Sequence, residues 1–457
     1  MAQRTFPQFV AEVWGALTNR AQRRAHERGF DAASWRRFPK EARSGRMANE
    51  TLTAAPAIRN RARYYYGSDP YAKAGVDALV VYGWGAGAMA DHANADAFEE
   101  WGATCDADGA LTFDGMFGAA LREMIVAGEC LILFIVDSDG LKLRLLPAEQ
   151  LDESLSRDIG NGARIDAGVE TDTRGRVVAY WIKPSLPTTQ FESYAPPIRF
   201  DAADVVHLRR VDFVGQVRGL SWLHAVLLKL ADLGLLSDAL LKGYQVAALH
   251  AGFLEDQNGA ASLPFDGDKE GDALEVALEP GVIRRLPTGY KVSFNNPQAA
   301  QQSIEFLNAQ VNAISAGLGV CAHMVSGDVS RCNYSSLRAD LLKMKASVEA
   351  WQYSTLVPAL NAIWRKWALV ESLRNAGDVT SLPTWRFEAF PDADPIKQVQ
   401  ASKLLLETKL ASRAELIAAR GESIDRVDAD IAADPHAQTQ TEENGDDAEE
   451  EEDSNAE

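Results

Sequence analysis

Residues 220–253 read LSWLHAVLLKLADLGLLSDALLKGYQVAALHAGF. Wrapped on a helix of 3.6 residues per turn, this segment puts apolar side chains on nearly every face. A helix of that kind is buried on more than one side or faces neighbouring subunits. Lys229, Asp232, Asp238 and Lys242 interrupt it. It is therefore not a membrane span, which needs roughly 18 or more consecutive apolar residues. The segment predicts a helix whose surface exceeds what one small body can cover.

Working outward, the flanks change period. Residues 130–147, CLILFIVDSDGLKLRLLP, are two β-rich runs around Asp-Ser-Asp-Gly, a hairpin signal. A second hairpin follows in GVETDTRGRVVAYWI (168–182), with Thr-Arg-Gly at its turn, and APPIRFDAADVVHLRR (195–210) closes the β-rich part. Residues 70–128 read as mostly helical. On the other side, 255–294 form a Gly/Asp/Pro-rich insert with short strands, and Asn295-Asn296-Pro297 breaks the chain before a helix over 301–319. A turn, GDVSRCNYSSLRADLLK (327–343), leads into a long helix through Trp351, Trp364 and Trp367. A kink is expected at Pro358, since proline removes a helical hydrogen bond. Two shorter helices follow over 390–421, where Ser412 and Glu415 have capping-box spacing.

The 457 residues suit two or three domains, and the net charge of -19 is unevenly spread. The last seventeen residues hold ten acids and no base, the composition of a disordered tail. Residues 1–46 lean the other way, with ten Lys or Arg against four acids. Cys105, Cys130, Cys321 and Cys332 show no CxxC spacing and are too sparse for a disulfide framework, which fits a reducing, intracellular origin. The first residues mix Arg, Gln, Pro and Glu, unlike a signal peptide.

The chemistry available is thin. Ser335 and Ser336 sit about two helical turns from Lys343, too far for a Ser-Lys pair on one helix. No GxSxG elbow supports a nucleophile. Immediately ahead of a periodic apolar run, Asn333, Ser335 or Ser336 is better read as a helix cap. Cys321, His323 and Cys332 match none of the usual zinc spacings. DSDG (137–140) and DGDKEGD (266–272) lack the glutamate that closes a calcium loop. GWGAGA (83–88) has glycines but no Lys-Ser/Thr for a phosphate loop. Residues 395–421 have rough helix-turn-helix length without the Gly turn or exposed base-reading side chains of that motif. No cofactor, metal or catalytic residue is assigned. Two apolar helices flanking a β-containing insert fit a subunit that builds interfaces.

Four pieces, in this order, resemble the lambda-like family of tailed-bacteriophage portal proteins: GVETDTRGRVVAYWI, then VVHLRRVDFVGQVRGLSWLHAVLLKLADL (205–233), then LEPGVIRRLPTGYKVSFNNP (278–297), then GLGVCAHMVSGDVSRCNYSSLRADLL (317–342). The resemblance implies an α+β subunit with a mixed α/β wing, a two-helix stem, a small β-containing clip, a long kinked helix and a helical C-terminal crown. By position, 1–46 would be a basic arm, 47–219 the wing, 220–251 and 297–319 the stem helices, and 252–296 the clip. Residues 320–335 would be the tunnel loop, 336–390 the long helix and its return, 391–435 the crown, and 436–457 the acidic tail. It further implies a homo-oligomeric ring, typically a dodecamer, at the capsid portal vertex of the virion and assembled in the bacterial host cytoplasm. Double-stranded DNA would pass through it. Its partners would be the large terminase subunit, head-completion or connector proteins, and the major capsid and scaffold proteins, with no membrane. On this reading Arg331, Lys343 and Lys345 are candidates to face DNA. Gly327, Asp328, Asn333, Ser335 and Ser336 form the hinge and cap of the tunnel loop, and Arg284 and Arg285 are clip candidates for terminase. The competing readings are a DNA-binding regulator using 395–421 and a serine hydrolase around Ser335/Ser336.

Overall fold

The computed structural model describes residues 47–184, 196–248, 252–256, 269–270, 273–274, 290–294, 300–330, 332–375, 381–390 and 395–434. The chain divides into two compact units, Met1–Leu227 with Ser315–Glu457, and Leu228–Ile314.

The first unit opens with helices α1 (Met47–Ser68) and α2 (Pro70–Gly83), the latter capped by the Asp69 carboxylate, which accepts from the Ala72 N–H at 2.8 Å. Strand β1 (Ala88–Asp91) and helix α3 (Ala95–Gly102) lead to α4 (Phe113–Ala127), the pivot of the core. Phe113, Met116, Phe117, Ala120, Leu121 and Met124 repeat at three- and four-residue spacing and are all buried. The region read as helical thus also holds a strand. β1 pairs antiparallel with Thr384–Phe387, far along the chain, and the four residues Ala-Met-Ala-Asp are too short a run to announce it.

β2 (Glu129–Asp137) and β3 (Gly140–Pro147) form the first expected hairpin, closed by a two-residue turn with Asp137 opposite Gly140. Strands β4 (Arg157–Gly160), β5 (Ala163–Asp166), β6 (Val169–Thr171), β7 (Val177–Ile182) and β8 (Ile198–Asp201) form a five-stranded antiparallel meander. The second expected hairpin is its β6–β7 pair. β9 (Val205–Arg209) returns to pair with β2, making a three-stranded sheet in the order β3-β2-β9. Leu131, Leu146, Leu151, Val169, Tyr180, Ile182 and Val205 from both sheets share one core cluster.

The segment quoted first departs from expectation at its start. Residues Trp222–Ala225 form a 3-10 turn, and helix α5 runs Leu227–Ala248 rather than from 220. The physical cause is the backbone ahead of it. A Cβ on Gly219 would run into the Gly128 carbonyl, and one on Gly128 would lie 2.6 Å from the Leu220 carbonyl carbon. The two glycines let the chains touch, and Ser221 caps the turn by accepting from the Leu223 N–H.

The second unit contains most of α5, the strand pair β10 (Gly252–Asp256) with β13 (Tyr290–Phe294), the short pair β11 (Lys269–Glu270) with β12 (Ala273–Leu274), and most of α6 (Ala300–Leu318). Within it Lys229 Nζ donates to Gln310 Oε1 at 3.4 Å.

Returning to the first unit, α7 (Ala322–Ser326) is followed by α8 (Tyr334–Trp351), a π-helical turn (Gln352–Leu356) and α9 (Val357–Asn375). The interruption expected at Pro358 is this wide turn, which lies just ahead of the proline. A π turn widens the ring where Pro358 offers no N–H to a preceding carbonyl. Buried Gln352 donates from Nε2 to the Gly83 carbonyl at 2.9 Å. Trp364 and Trp367 of α9 then pack with Phe98, Trp101 and, on β14 (Thr384–Phe387), Trp385. Helices α10 (Pro395–Glu407), α11 (Arg413–Ala418) and α12 (Ile424–Ala433) end the described chain, the last without a counterpart in the sequence reading. Ser412 and Glu415 form the expected capping box.

Candidate functional site

The segment between α6 and α8 buries Val320, Cys321 and Val325, is exposed over 326–330, and is held by short-range hydrogen bonds. Gly319 and Val320 N–H both donate to the Ser315 carbonyl, closing α6. α7 ends at Gly327, whose φ of +70° is the left-handed conformation that terminates a helix, and its N–H returns to the His323 carbonyl at 2.8 Å. Asp328 Oδ1 accepts from the Ser330 N–H at 2.9 Å, turning the chain again.

Asn333 and Ser336 then form a reciprocal cap. Asn333 Oδ1 accepts from the Ser336 N–H at 2.8 Å, and Ser336 Oγ accepts from the Asn333 N–H at 3.1 Å. The Ser336 hydroxyl also donates to the Asn333 carbonyl at 2.9 Å. Of the three residues weighed for the cap, Asn333 is the N-cap and Ser336 its partner, while Ser335 is an exposed first-turn residue. A hydroxyl committed on both sides to a helix end is poorly placed to act as a nucleophile. Of the two serines in the hydrolase reading, Ser336 is thus committed to the helix end.

Beyond the cap, α8 buries only Met344, Val348 and Trp351, one narrow stripe. The rest of the helix is solvent-facing or partly so. Lys343 is exposed, and Lys345 lies 3.7 Å from Glu349 one turn on. Such an exposed pair contributes little to stability. Arg331, Arg284 and Arg285 lie outside the described residues.

Sequence reasoning missed a second feature, a buried ionic cluster ahead of α5. Glu129 at the start of β2 is fully enclosed. Its Oε1 accepts from Arg218 Nε at 2.7 Å, and its Oε2 accepts from the Gly219 N–H at 2.6 Å and faces His207 Nε2 at 2.9 Å. Arg218 further donates to the carbonyls of Ala167 at 2.8 Å and Ala148 at 3.0 Å. Arg59 of α1, 1% exposed, lies 3.5 Å from Glu129 and donates to Glu153 and, at 3.3 Å, to the Ala127 carbonyl. Next to it Arg63 bridges Glu149 and Glu123.

Burial alone would push the Glu129 carboxyl up, but Arg218 and the His207 hydrogen bond hold it well below the usual carboxylate range. Burial drives His207 down to about 4, against the pull of Glu129. The cluster therefore works as Glu129⁻ with two arginines and a neutral imidazole. The available signal was the arginine within GQVRGLSWL, flanked by a glycine whose N–H a carboxylate could bind. Arg59 gave none, since an arginine in a helix is usually exposed.

Three of the four cysteines, Cys105, Cys130 and Cys321, are buried, and Cys332 is exposed. Desolvation pushes Cys105 up to about 12 and Cys321 up to about 11. Cys321 Sγ lies 4.0 Å from Met344 Sδ, a packing contact. Among the described residues no three His, Cys, Asp or Glu side chains are grouped to hold a metal, and no helix is long and apolar enough to cross a membrane. In the region weighed as a helix-turn-helix, α10 leaves Ile396, Val399, Leu404 and Leu406 exposed. These exposed apolar side chains stand beside exposed Lys397, Gln398, Gln400 and Lys403.

Comparisons with known proteins bear on these features. The family model "Phage portal protein, lambda family" matches residues 32–352. A probable portal protein of Halomonas phage phiHAP-1 is 24% identical over 355 residues, covering 74% of this chain and 68% of that protein. Among solved structures, a chain from the neck of a native gene transfer agent particle, computed with C12 symmetry, is similar with a TM-score of 0.47 and 14% identity, covering 79% of this chain and 92% of its own. An HK97-family portal protein from Corynebacterium diphtheriae has a TM-score of 0.35 and 13% identity, covering 75% of this chain and 98% of its own.

Proposed function

The chain belongs to the lambda family of phage portal proteins, and on that premise we propose that it is one subunit of a homo-oligomeric ring at the capsid vertex of the virion, through which double-stranded DNA is packaged and ejected. One observation carries the ring. In the second unit, burial on α5 stops at Leu233, and Leu235 (70% exposed), Leu241 (57%), Ile304 (51%) and Phe306 (54%) stand open. A heterologous ring covers such faces with two neighbours per subunit, which one protomer alone cannot do.

The separation of Leu228–Ile314 as its own unit supports reading these residues as stem and clip. Residues 320–335 and the long helix after them are then the tunnel loop and its helix, with Arg331, Lys343 and Lys345 as the candidates to face DNA. An acidic chain suits a conduit, because each phosphate neutralised adds a binding term with a log–log salt slope of roughly -0.9, and a sliding duplex must not be gripped. The clip, with Arg284 and Arg285, meets the large terminase subunit, to which ATP hydrolysis belongs. Head-completion or connector proteins follow on the same end, with the capsid and scaffold proteins around the ring.

Negative-stain imaging and mass photometry of the purified chain test this. The expected result is a ring near twelve subunits, a count carried over from the family, with a central hole. A stable monomer that binds DNA saturably and sequence-specifically overturns it.

A further inference from the structure

One cleft in the first unit has no part in the reading above. The loop from Ala86 into β1, the second half of α3, the start of α4, the end of β14 and the turn after α11 enclose about 600 Å³, a volume typical of sites that take a few side chains. Its floor is aromatic. Phe98 and Phe113 are 4% and 5% exposed, and their rings meet edge to face at 5.1 Å.

Its rim is acidic, with Glu99, Asp114, Glu388 and Glu422 around the opening. Of the two arginines that line it, Arg386 is tied to Asp91 at 2.6 and 3.0 Å, which leaves Arg420 against four carboxylates. Asp114 is pushed up first by burial and then by the Glu99 carboxylate. The rim thus holds like charges that a cation would relax.

The same chain carries a segment with the opposite composition. Residues 1–46 contain ten Lys or Arg against four acids, and Trp35-Arg36-Arg37-Phe38 joins aromatic rings, which suit the floor, to cations, which suit the rim. Extended, an arm of this length spans up to roughly 150 Å, so reach does not limit it. We propose that this cleft is the docking site of the basic N-terminal arm, with an aromatic side chain on the Phe98–Phe113 floor and guanidinium groups against Glu99, Glu388 and Glu422. A docked arm has its cations engaged by protein and withheld from nucleic acid, so the acidic rim also keeps the arm from gripping DNA.

The full-length chain tests this directly. A photoreactive benzoylphenylalanine is placed at Met89, which lines the cleft, and crosslinked peptides are mapped by mass spectrometry after irradiation. Peptides from 1–46 are expected, with a yield that falls several-fold between 0.1 M and 1 M salt. The yield should fall likewise in the Glu99→Gln/Glu388→Gln/Glu422→Gln variant. Crosslinks confined to other segments, or a yield unchanged by neutralising the rim, overturn the proposal. A second readout avoids the photoprobe. Tryptic cleavage after Arg36 and Arg37 should be several-fold faster in the triple variant than in the parent, and equal rates overturn it. Neither readout depends on ring formation, so failure here is distinguishable from failure of the portal reading.

Discussion

The residues on either side of Leu227 satisfy opposite requirements. Ahead of it, Arg218 and Gly219 are fastened to Glu129, and the charged groups of the buried cluster face counter-charges inside the same unit. Beyond it, the helix buries Leu230 and Leu233 and then leaves Leu235, Leu241 and Tyr244 exposed. The first region is finished by its own fold. The second is apolar, and among the described residues these side chains stand exposed. The difference teaches where self-sufficiency ends along the chain: the body buries its own charges, and on the proposed function the helix beyond it is completed by other copies.

The largest test strikes the finished side. Glu129→Gln keeps shape and volume but takes from buried Arg59 and Arg218 their one fully buried counter-charge, leaving them the partly exposed Glu153. Removing one partner of a buried ionic group typically costs about 3–5 kcal/mol, read as a lower midpoint in denaturant. A loss near zero would mean that the cluster is not closed to water and that the contrast is false. Gly219→Ala should be of similar severity, because its Cβ meets the Gly128 backbone, which cannot yield as a flexible side chain could.

The same cluster sets a pH dependence. His207 holds its folded value near 4 against an ordinary 6.5, so between those limits the unfolded chain binds a proton that the folded chain refuses. Stability therefore falls as pH drops from about 6.5 to 4, by up to ~1.4 kcal/mol per pH unit. Glu129, held well below 4.5, adds a loss in the same direction once the pH falls under that value. Stability measured against pH should show this slope, and His207→Asn should flatten its upper part. An unchanged slope in that variant would assign the acid sensitivity elsewhere.

How much of this was legible depended on whether the cause was local. The β2–β3 hairpin, the Ser412–Glu415 box and the cap at Asn333 could be read because each is written within a few neighbouring residues. The apolar surround of α5 was legible for a similar reason, since one turn of the helix repeats in the next. The first turn was misplaced because its geometry is set by Gly128 and Glu129, about ninety positions earlier. Arg59 escaped notice on the same ground: an α1 residue is buried by partners from β2 and the segment after β3. The pairing of β1 with β14 was invisible too, since neither strand carries a long period-two pattern.

A smaller effect lies in the loop. Asn333→Ala removes the acceptor for the Ser336 N–H and should cost about 1 kcal/mol, the usual worth of an N-cap. Ser335→Ala should stay within about 0.5 kcal/mol, as surface substitutions do. If Ser335→Ala instead removed an activity while leaving stability intact, the capping account of this segment would be wrong. Thermal melts of the two variants, with assembly followed in parallel, separate these outcomes.

The smallest expected effect on stability sits on the unfinished side, and it should have the largest effect on assembly. Leu235→Asp and Phe306→Asp each replace an apolar side chain that is more than half exposed, so the protomer gives up little buried area and should lose no more than about 0.5 kcal/mol. In a ring the same positions are covered by a neighbour, and a carboxylate there must either be desolvated without a partner or keep the subunits apart. Closure multiplies the penalty, because every interface in a symmetric ring carries the same substitution. Mass photometry should therefore show protomers in place of rings, while the denaturation midpoint of the isolated chain hardly moves. If instead the substitution unfolds the chain, α5 and α6 are covered within the protomer, and the contrast between the two sides of Leu227 fails. Should rings persist with both residues charged, the apolar faces serve something other than the subunit contact.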